Sequence, residues 1–152
     1  MGCERVEDLT ATILCPGQGA QAVGMGRAWY DTNPAAKRTF DEADAILGDT
    51  LGGPLSRICF EGPAETLNRT DVAQPALFVC AIACHRALGE PAAGSAAGLS
   101  LGEYTALHLA GVFCFEECLG LVAHRGRLMQ EAAEQTDGGM VVLIGADQEQ
   151  AE

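Results

Sequence analysis

Residues 98–102 read Gly98-Leu99-Ser100-Leu101-Gly102, a G-x-S-x-G pattern with helix-forming sequence directly behind it. Where such a pattern forms a nucleophile elbow, the serine sits at a sharp turn from strand to helix. The positions two before and two after must be glycine, because the turn brings other backbone into contact there. The amide of the next residue, Leu101, then faces the oxygen that becomes anionic when the serine attacks an acyl group. The helix starting at that point adds partial positive charge at the same oxygen. The chemistry would be acyl transfer or hydrolysis through a seryl ester. The alternative is an ordinary serine at a helix N-cap between two glycines, in a chain that has 19 of them.

Periodicity singles out Arg125. In the segment that begins at Phe115, the apolar side chains Phe115, Cys118, Val122, Met129 and Ala132 recur at helical spacing, and Arg125 falls in the same series. An inward arginine needs a partner, since an unpaired buried guanidinium is too costly. An internal carboxylate such as Glu103 would serve. So would an anionic substrate, whose carboxylate a planar fork can hold with two hydrogen bonds.

Other candidates are weaker. The glycine-rich loop over residues 17–26 does not satisfy G-x-G-x-x-G and lacks the Lys-Ser/Thr of a phosphate loop, so nucleotide binding is poorly supported. Its polar side chains are Gln18 and Gln21, and a loop at the C-terminal end of the first strand can place backbone amides beside a site built on another strand of the same sheet. Cys80 and Cys84 are spaced like metal ligands, as are Cys114 and Cys118, but the first pair lies in the apolar run PALFVCAIACHRAL. Cysteines there read as small core hydrophobes, and no metal is expected. His85, His108 and His124 read as helix-surface or hydrogen-bonded histidines.

The elements that must position these residues alternate. Thr12-Ile13-Leu14-Cys15 reads as a buried strand ended by Pro16-Gly17. Asn33 and Pro34 start a helix that Gly48 ends, and two short helical pieces follow, through Phe60 and from Pro63 to Thr70. Val72 to Leu88 reads as a long buried helix with His85 and Arg86 in its last turn. Ala92 to Leu99 fits either a loop or a strand of small side chains. A helix runs from Ser100 to Ala110, Gly111 breaks it, and another of about five turns runs from Phe115 to Gly138-Gly139. Met140 to Gly145 is a β-branched strand, and Asp147 caps one more helix. This order predicts an α/β fold with a parallel sheet.

Composition excludes several classes. The chain has 152 residues, enough for one ordinary domain, with 48% apolar and 20% charged residues. No apolar run is long enough for a membrane helix, and the opening residues do not read as a signal peptide. A net charge of -12 with no basic cluster argues against a nucleic-acid partner. An odd count of 7 cysteines argues against a disulfide framework, so reduced thiols and a cytoplasmic location are expected.

Taken together, Pro16-Gly17-Gln18-Gly19-Ala20-Gln21, Gln74-Pro75-Ala76, Gly98-Leu99-Ser100-Leu101-Gly102-Glu103-Tyr104 and Arg125-Gly126-Arg127-Leu128-Met129-Gln130 resemble, in order and spacing, the malonyl-CoA:acyl carrier protein transacylases and the related acyltransferase domains of polyketide synthases. The resemblance runs from about Thr12 to Asp147. It implies that residues 1–137 are the N-terminal part of an α/β-hydrolase-like large subdomain. Residues 138–152 would be the first strand and helix start of a ferredoxin-like small subdomain, so the chain is expected to be the N-terminal portion of a longer fold. Met140 to Gly145 would then present an unpartnered apolar edge, which predicts association of the isolated chain.

By the same resemblance, Ser100 carries malonyl as an ester. Gln18 and the amide of Leu101 form the oxyanion hole, Arg125 pairs with the free carboxylate of malonate, and Gln74 lines the site. The implied activity is ping-pong transfer of malonyl from malonyl-CoA, a coenzyme A thioester, to the phosphopantetheine thiol of acyl carrier protein in fatty acid biosynthesis. No bound cofactor is implied. Acyl carrier proteins are acidic, so docking needs a local basic patch, for which Arg86 and Arg127 are candidates. Two positions depart from the family. Leu99 stands where histidine is usual, which implies changed packing at the elbow. The family's general base is a histidine from a later part of the chain, and none of the three histidines here matches it. A polyketide synthase acyltransferase domain, a general serine esterase and a non-catalytic fragment are the competing readings.

Overall fold

The computed structural model describes residues 11–135, 145 and 147–151. Strand β1 (Thr12–Cys15) pairs in parallel with β2 (Ser95–Gly98), Thr12 opposite Ser95 and Cys15 opposite Gly98. A hydrogen bond of 2.8 Å between the Thr12 and Ser95 hydroxyls extends the ladder to the side chains. Parallel pairing requires a long crossover. It is made here by helices α1 (Arg27–Thr32), α2 (Pro34–Leu47), α3 (Leu55–Glu61), α4 (Ala64–Leu67) and α5 (Thr70–Ala87). After β2 come α6 (Leu101–Leu109), α7 (Phe115–Glu134) and α8 (Gln148–Ala151). Within the Ala92–Leu99 stretch that fits loop or strand, Ser95–Gly98 is a strand and the rest is not, and the α/β order with a parallel sheet holds for the described residues.

The expectation of a buried first strand needs correction. Leu14 is 78% exposed and only Cys15 of β1 is buried. Among the described residues, β1 is covered by β2 on one edge and packed by α6, and an apolar run signals full burial only where neighbours cover both faces.

The core lies between the helices. Phe40 of α2, Leu55 of α3, Phe78 and Ile82 of α5, Leu101 of α6 and Leu119 of α7 are all fully buried. Cys59 and Cys118 are buried with them as free thiols, and burial pushes Cys118 up to about 11, a poor nucleophile that packs as a small apolar group. Among the described residues no helix is long and apolar enough to cross a membrane.

Capping explains the helix ends. Asn33 Oδ1 accepts from the amides of Ala35 at 2.8 Å and Ala36 at 3.3 Å, and Pro34 occupies the first turn. Asn33 Nδ2 also donates to the Ala87 carbonyl at 3.1 Å, which ties the start of α2 to the end of α5. Asn33→Ala is expected to lower stability by about 1 kcal/mol, read from the midpoint of a urea transition. At α7 the capping residue is Cys114. Its sulfur accepts from the Glu117 amide at 3.4 Å while the Glu117 carboxylate accepts from the Cys114 amide at 2.9 Å. That backbone hydrogen bond holds the Glu117 carboxyl below its ordinary range. Asp147 caps α8, its Oδ1 accepting from the Gln150 amide at 3.0 Å. Helix α7 ends at Glu134, before the expected stop at Gly138-Gly139. Those two glycines, and residues 140–144 of the expected strand, lie outside the described residues.

Helices α5 and α7 pack closely because of one glycine. A Cβ on Gly126 would stand 2.9 Å from the Thr70 carbonyl oxygen and 3.1 Å from the Asp71 Cα, so the N-terminus of α5 rests on the α7 backbone there.

Candidate active site

Ser100 sits between the end of β2 and the first residue of α6, at φ 55 and ψ -111. A non-glycine residue with positive φ is strained, by about 1–3 kcal/mol, and persists only where the surroundings fix it. Here the surroundings are backbone. A Cβ on Gly98 would overlap the Gly102 carbonyl, and one on Gly102 would overlap the Cys15 carbonyl of β1. Both glycines of G-x-S-x-G are thus required by close approach, as the pattern predicts. The Leu101 amide is the first of α6, where no intrahelical acceptor exists. Leu99, beside the elbow, is 85% exposed.

Arg125 meets Ser100. Its Nη2 donates to Ser100 Oγ at 2.9 Å and its Nη1 to Gln74 Oε1 at 2.5 Å. Among the described residues Arg125 forms no ion pair, and Glu103, the internal carboxylate that the periodicity allowed as partner, is exposed. The partner of the half-buried guanidinium is the carboxamide of Gln74, which is 0% exposed. The Gln74 Nε2 in turn donates to Met129 Sδ at 3.3 Å, which sets the carbonyl end of the amide toward Arg125. Arg125 Cζ also lies 5.4 Å from the centre of the Tyr104 ring. A guanidinium on a strained serine hydroxyl lowers the cost of negative charge on that oxygen and offers two N–H groups to an anionic acyl group attached there.

Gln18 is placed by the loop before α1. A Cβ on Gly17 would stand 3.2 Å from the Leu99 carbonyl oxygen, so this loop abuts the residue that precedes Ser100. Gln18 Nε2 donates to Thr70 Oγ1 at 3.1 Å. Gln21 Oε1 accepts from the Gly19 amide at 2.8 Å and Gln21 Nε2 donates to Asn68 Oδ1 at 3.0 Å, which fastens the loop to the corner between α4 and α5. Thr70, Tyr104 and Met129 therefore belong to the site's surroundings. Tyr104 and Met129 lie within the family-like runs of sequence, whereas nothing local marks Thr70.

None of the histidines bonds Ser100 among the described residues. His108 Nδ1 lies 2.9 Å from the Phe113 carbonyl oxygen, and its ring meets Phe78 edge-on. His124 Nδ1 accepts from Arg127. His85 departs from the expectation of a satisfied histidine, because its Nδ1 is buried without a partner among the described residues. The two basic candidates for docking are engaged. Arg86 pairs with Glu42 at 3.1 Å and lies over the Phe115 ring, and Arg127 pairs with Glu131 at 2.6 Å. An apolar groove of about 410 Å³ between β1, α1 and α5 is lined by Leu14, Trp29, Cys80 and Leu88 among others, and it contains none of Ser100, Arg125, Gln18 or Gln74.

Comparison with known proteins gives a consistent result. The family model described as the acyl transferase domain matches residues 12–152. The malonyl CoA-acyl carrier protein transacylase of Bacillus subtilis strain 168 is 45% identical over 139 residues, which are 90% of this chain and 43% of the relative. The chain thus spans well under half the length of the curated relatives it matches. Among solved structures, the acyl-carrier-protein S-malonyltransferase of Burkholderia pseudomallei 1710b superposes with a TM-score of 0.74 at 38% identity, covering 82% of this chain and 40% of that one. A malonyl-transacylase solved in complex with a type II polyketide synthase acyl carrier protein superposes with a TM-score of 0.72 at 41% identity, covering 80% and 39%. With the elbow, the parallel strands and both motif glycines in place, this chain belongs to the acyl transferase domain family.

Proposed function

We propose that the protein transfers a malonyl group from malonyl-CoA to the phosphopantetheine thiol of an acyl carrier protein through an ester on Ser100. What carries the reading is the Arg125 guanidinium, 2.9 Å from Ser100 Oγ and without a carboxylate partner among the described residues. An acyl group bound to Ser100 and ending in a carboxylate would supply that partner. In the first transfer, Ser100 Oγ gives up its proton to a base and bonds to the malonyl thioester carbon, the C–S bond breaks, and the base passes that proton to the departing coenzyme A thiolate. The carrier thiol then gives its proton to the base and attacks the ester carbon, the C–O bond to Ser100 breaks, and the base returns the proton to Ser100 Oγ. Each step passes through an oxyanion, which we assign to the Leu101 amide and the Gln18 carboxamide. Losing one such donor costs about 3 kcal/mol. Two acyl transfers require no cofactor.

The site residues sit on what we read as the N-terminal part of an α/β-hydrolase-like large subdomain, residues 1–137. Residues 138–152 begin a ferredoxin-like small subdomain, and the proton acceptor is the histidine that the family carries beyond it. The free thiols suit a reducing compartment, the cytoplasm. The proposal is tested by incubating a protein that carries these residues together with the family's histidine with malonyl-CoA and reading its intact mass. A single malonyl adduct is expected, mapped to Ser100 by peptide digestion, absent from Ser100→Ala and discharged by holo acyl carrier protein. An adduct that survives in Ser100→Ala, or a histidine-bearing wild type that gains none, overturns it.

A further inference from the structure

The motif Arg125-Gly126-Arg127-Leu128-Met129-Gln130 contains more order than Arg125 alone requires. Met129 and Gln130 are neighbours on α7, and each bonds a residue of α5 that in turn bonds a residue of the site. Met129 accepts from Gln74, which holds Arg125. Gln130 Oε1 accepts from the Thr70 amide at 2.9 Å, and Thr70 Oγ1 accepts from Gln18 Nε2 at 3.1 Å. The close approach at Gly126, where an added Cβ would stand 2.9 Å from the Thr70 carbonyl oxygen, brings the two helices near enough for the second chain of bonds to form.

Thr70 is the first residue of α5, so its amide is one of the donors that the helix leaves without an internal acceptor. No side chain caps it from the N-cap position, which is Arg69. Gln130, sixty positions away in the chain, does so instead. That bond fixes the Thr70 backbone relative to α7, and the Thr70 hydroxyl then presents its oxygen to the loop. The Gln18 carboxamide carries two N–H groups. Thr70 takes one, which fixes the plane of the amide and the direction of the other, on a loop whose Gly17 already abuts the carbonyl of Leu99.

Resting on the reading of Gln18 as an oxyanion donor, we propose that Thr70, anchored by Gln130, is the residue that positions Gln18. Thr70 touches no reacting atom and acts through the carboxamide. Without it the Gln18 side chain regains rotamer freedom, and the fraction of molecules with a donor in place falls.

Two readouts on the full chain test this. The first needs no catalysis: the Gln18 side-chain amide is observed by nitrogen-15 relaxation and assigned by its loss in Gln18→Leu. It is expected to be ordered in the wild type and in Thr70→Ser, and to become mobile in Thr70→Val and Gln130→Leu while the backbone amide spectrum away from the loop is unchanged. The second is the rate of Ser100 acylation by malonyl-CoA in a protein that includes the family's histidine. Thr70→Val should slow the acylation step roughly tenfold with an unchanged half-saturating concentration, and Thr70→Ser should restore it. An equally ordered Gln18 amide in Thr70→Val, or a folded Thr70→Val that acylates at the wild-type rate, overturns the positioning role. If a wild type that includes the family's histidine is not acylated at all, malonyl transfer is overturned, and the relaxation data alone decide on Thr70.

Discussion

Arg125→Ala is expected to remove the preference for malonyl-CoA over acetyl-CoA, lowering the ratio of the two Ser100 acylation rates roughly a hundredfold, about 3 kcal/mol. The expectation follows from the fork geometry. One arm of the guanidinium is on Ser100 Oγ and the other on the buried Gln74 carbonyl oxygen, so the group is already oriented before an acyl chain arrives. A carboxylate attached through Ser100 would meet a fixed donor pair. An acetyl group would leave the guanidinium without an anionic partner, which is the asymmetry that produces selectivity. Arg125→Lys keeps the charge but cannot form two parallel bonds, so it should recover only part of the ratio. The substitution to alanine also strips the Gln74 oxygen of its partner at a site with 0% exposure, which is expected to lower stability by about 1–3 kcal/mol. The acylation ratio is therefore measured at a temperature where circular dichroism shows the variant folded. An unchanged ratio of malonyl to acetyl acylation would remove Arg125 from substrate recognition.

Gly102→Ala is expected to be strongly disruptive, costing about 3 kcal/mol or more. The added Cβ would overlap the Cys15 carbonyl, and that oxygen belongs to the backbone of β1. A side chain could rotate away, but here β1 and α6 would have to separate, and Ser100 would lose the contacts that hold it at φ 55. Gly120 is the control. It lies in α7 with nothing within 4 Å of the place an added methyl group would take, so Gly120→Ala should stabilise the protein by up to about 1 kcal/mol through helix propensity. Urea transitions of the two variants should move in opposite directions, and a Gly102→Ala chain as stable as the wild type would contradict the close approach.

Much of this architecture is legible in the order of the amino acids. The start of α2 is written in Asn33-Pro34 and its end in Gly48, because caps act within a turn of their own residue. The elbow is written in the two glycines, because only that residue tolerates backbone at such range. The inward position of Arg125 follows from helical spacing, which counts residues along one face. Other features are not legible there. The exposure of Leu14 depends on which elements flank β1, and four residues of strand carry no record of their neighbours. The exposure of Leu99, and the lack of a partner for His85 Nδ1 among the described residues, depend on packing in the same way.

Where the chain turns, which residues have to be glycine, and which helix face Arg125 occupies are all settled by sterics and hydrogen bonds within a few residues, so the amino-acid order is enough to specify them. What Arg125 and Gln18 hold on to is settled only when distant segments meet. Gln74 and Thr70 lie 51 and 52 positions from their respective partners. A hydrogen bond is directional over about 3 Å, and spacing along a chain cannot say which donors and acceptors folding will bring within that distance.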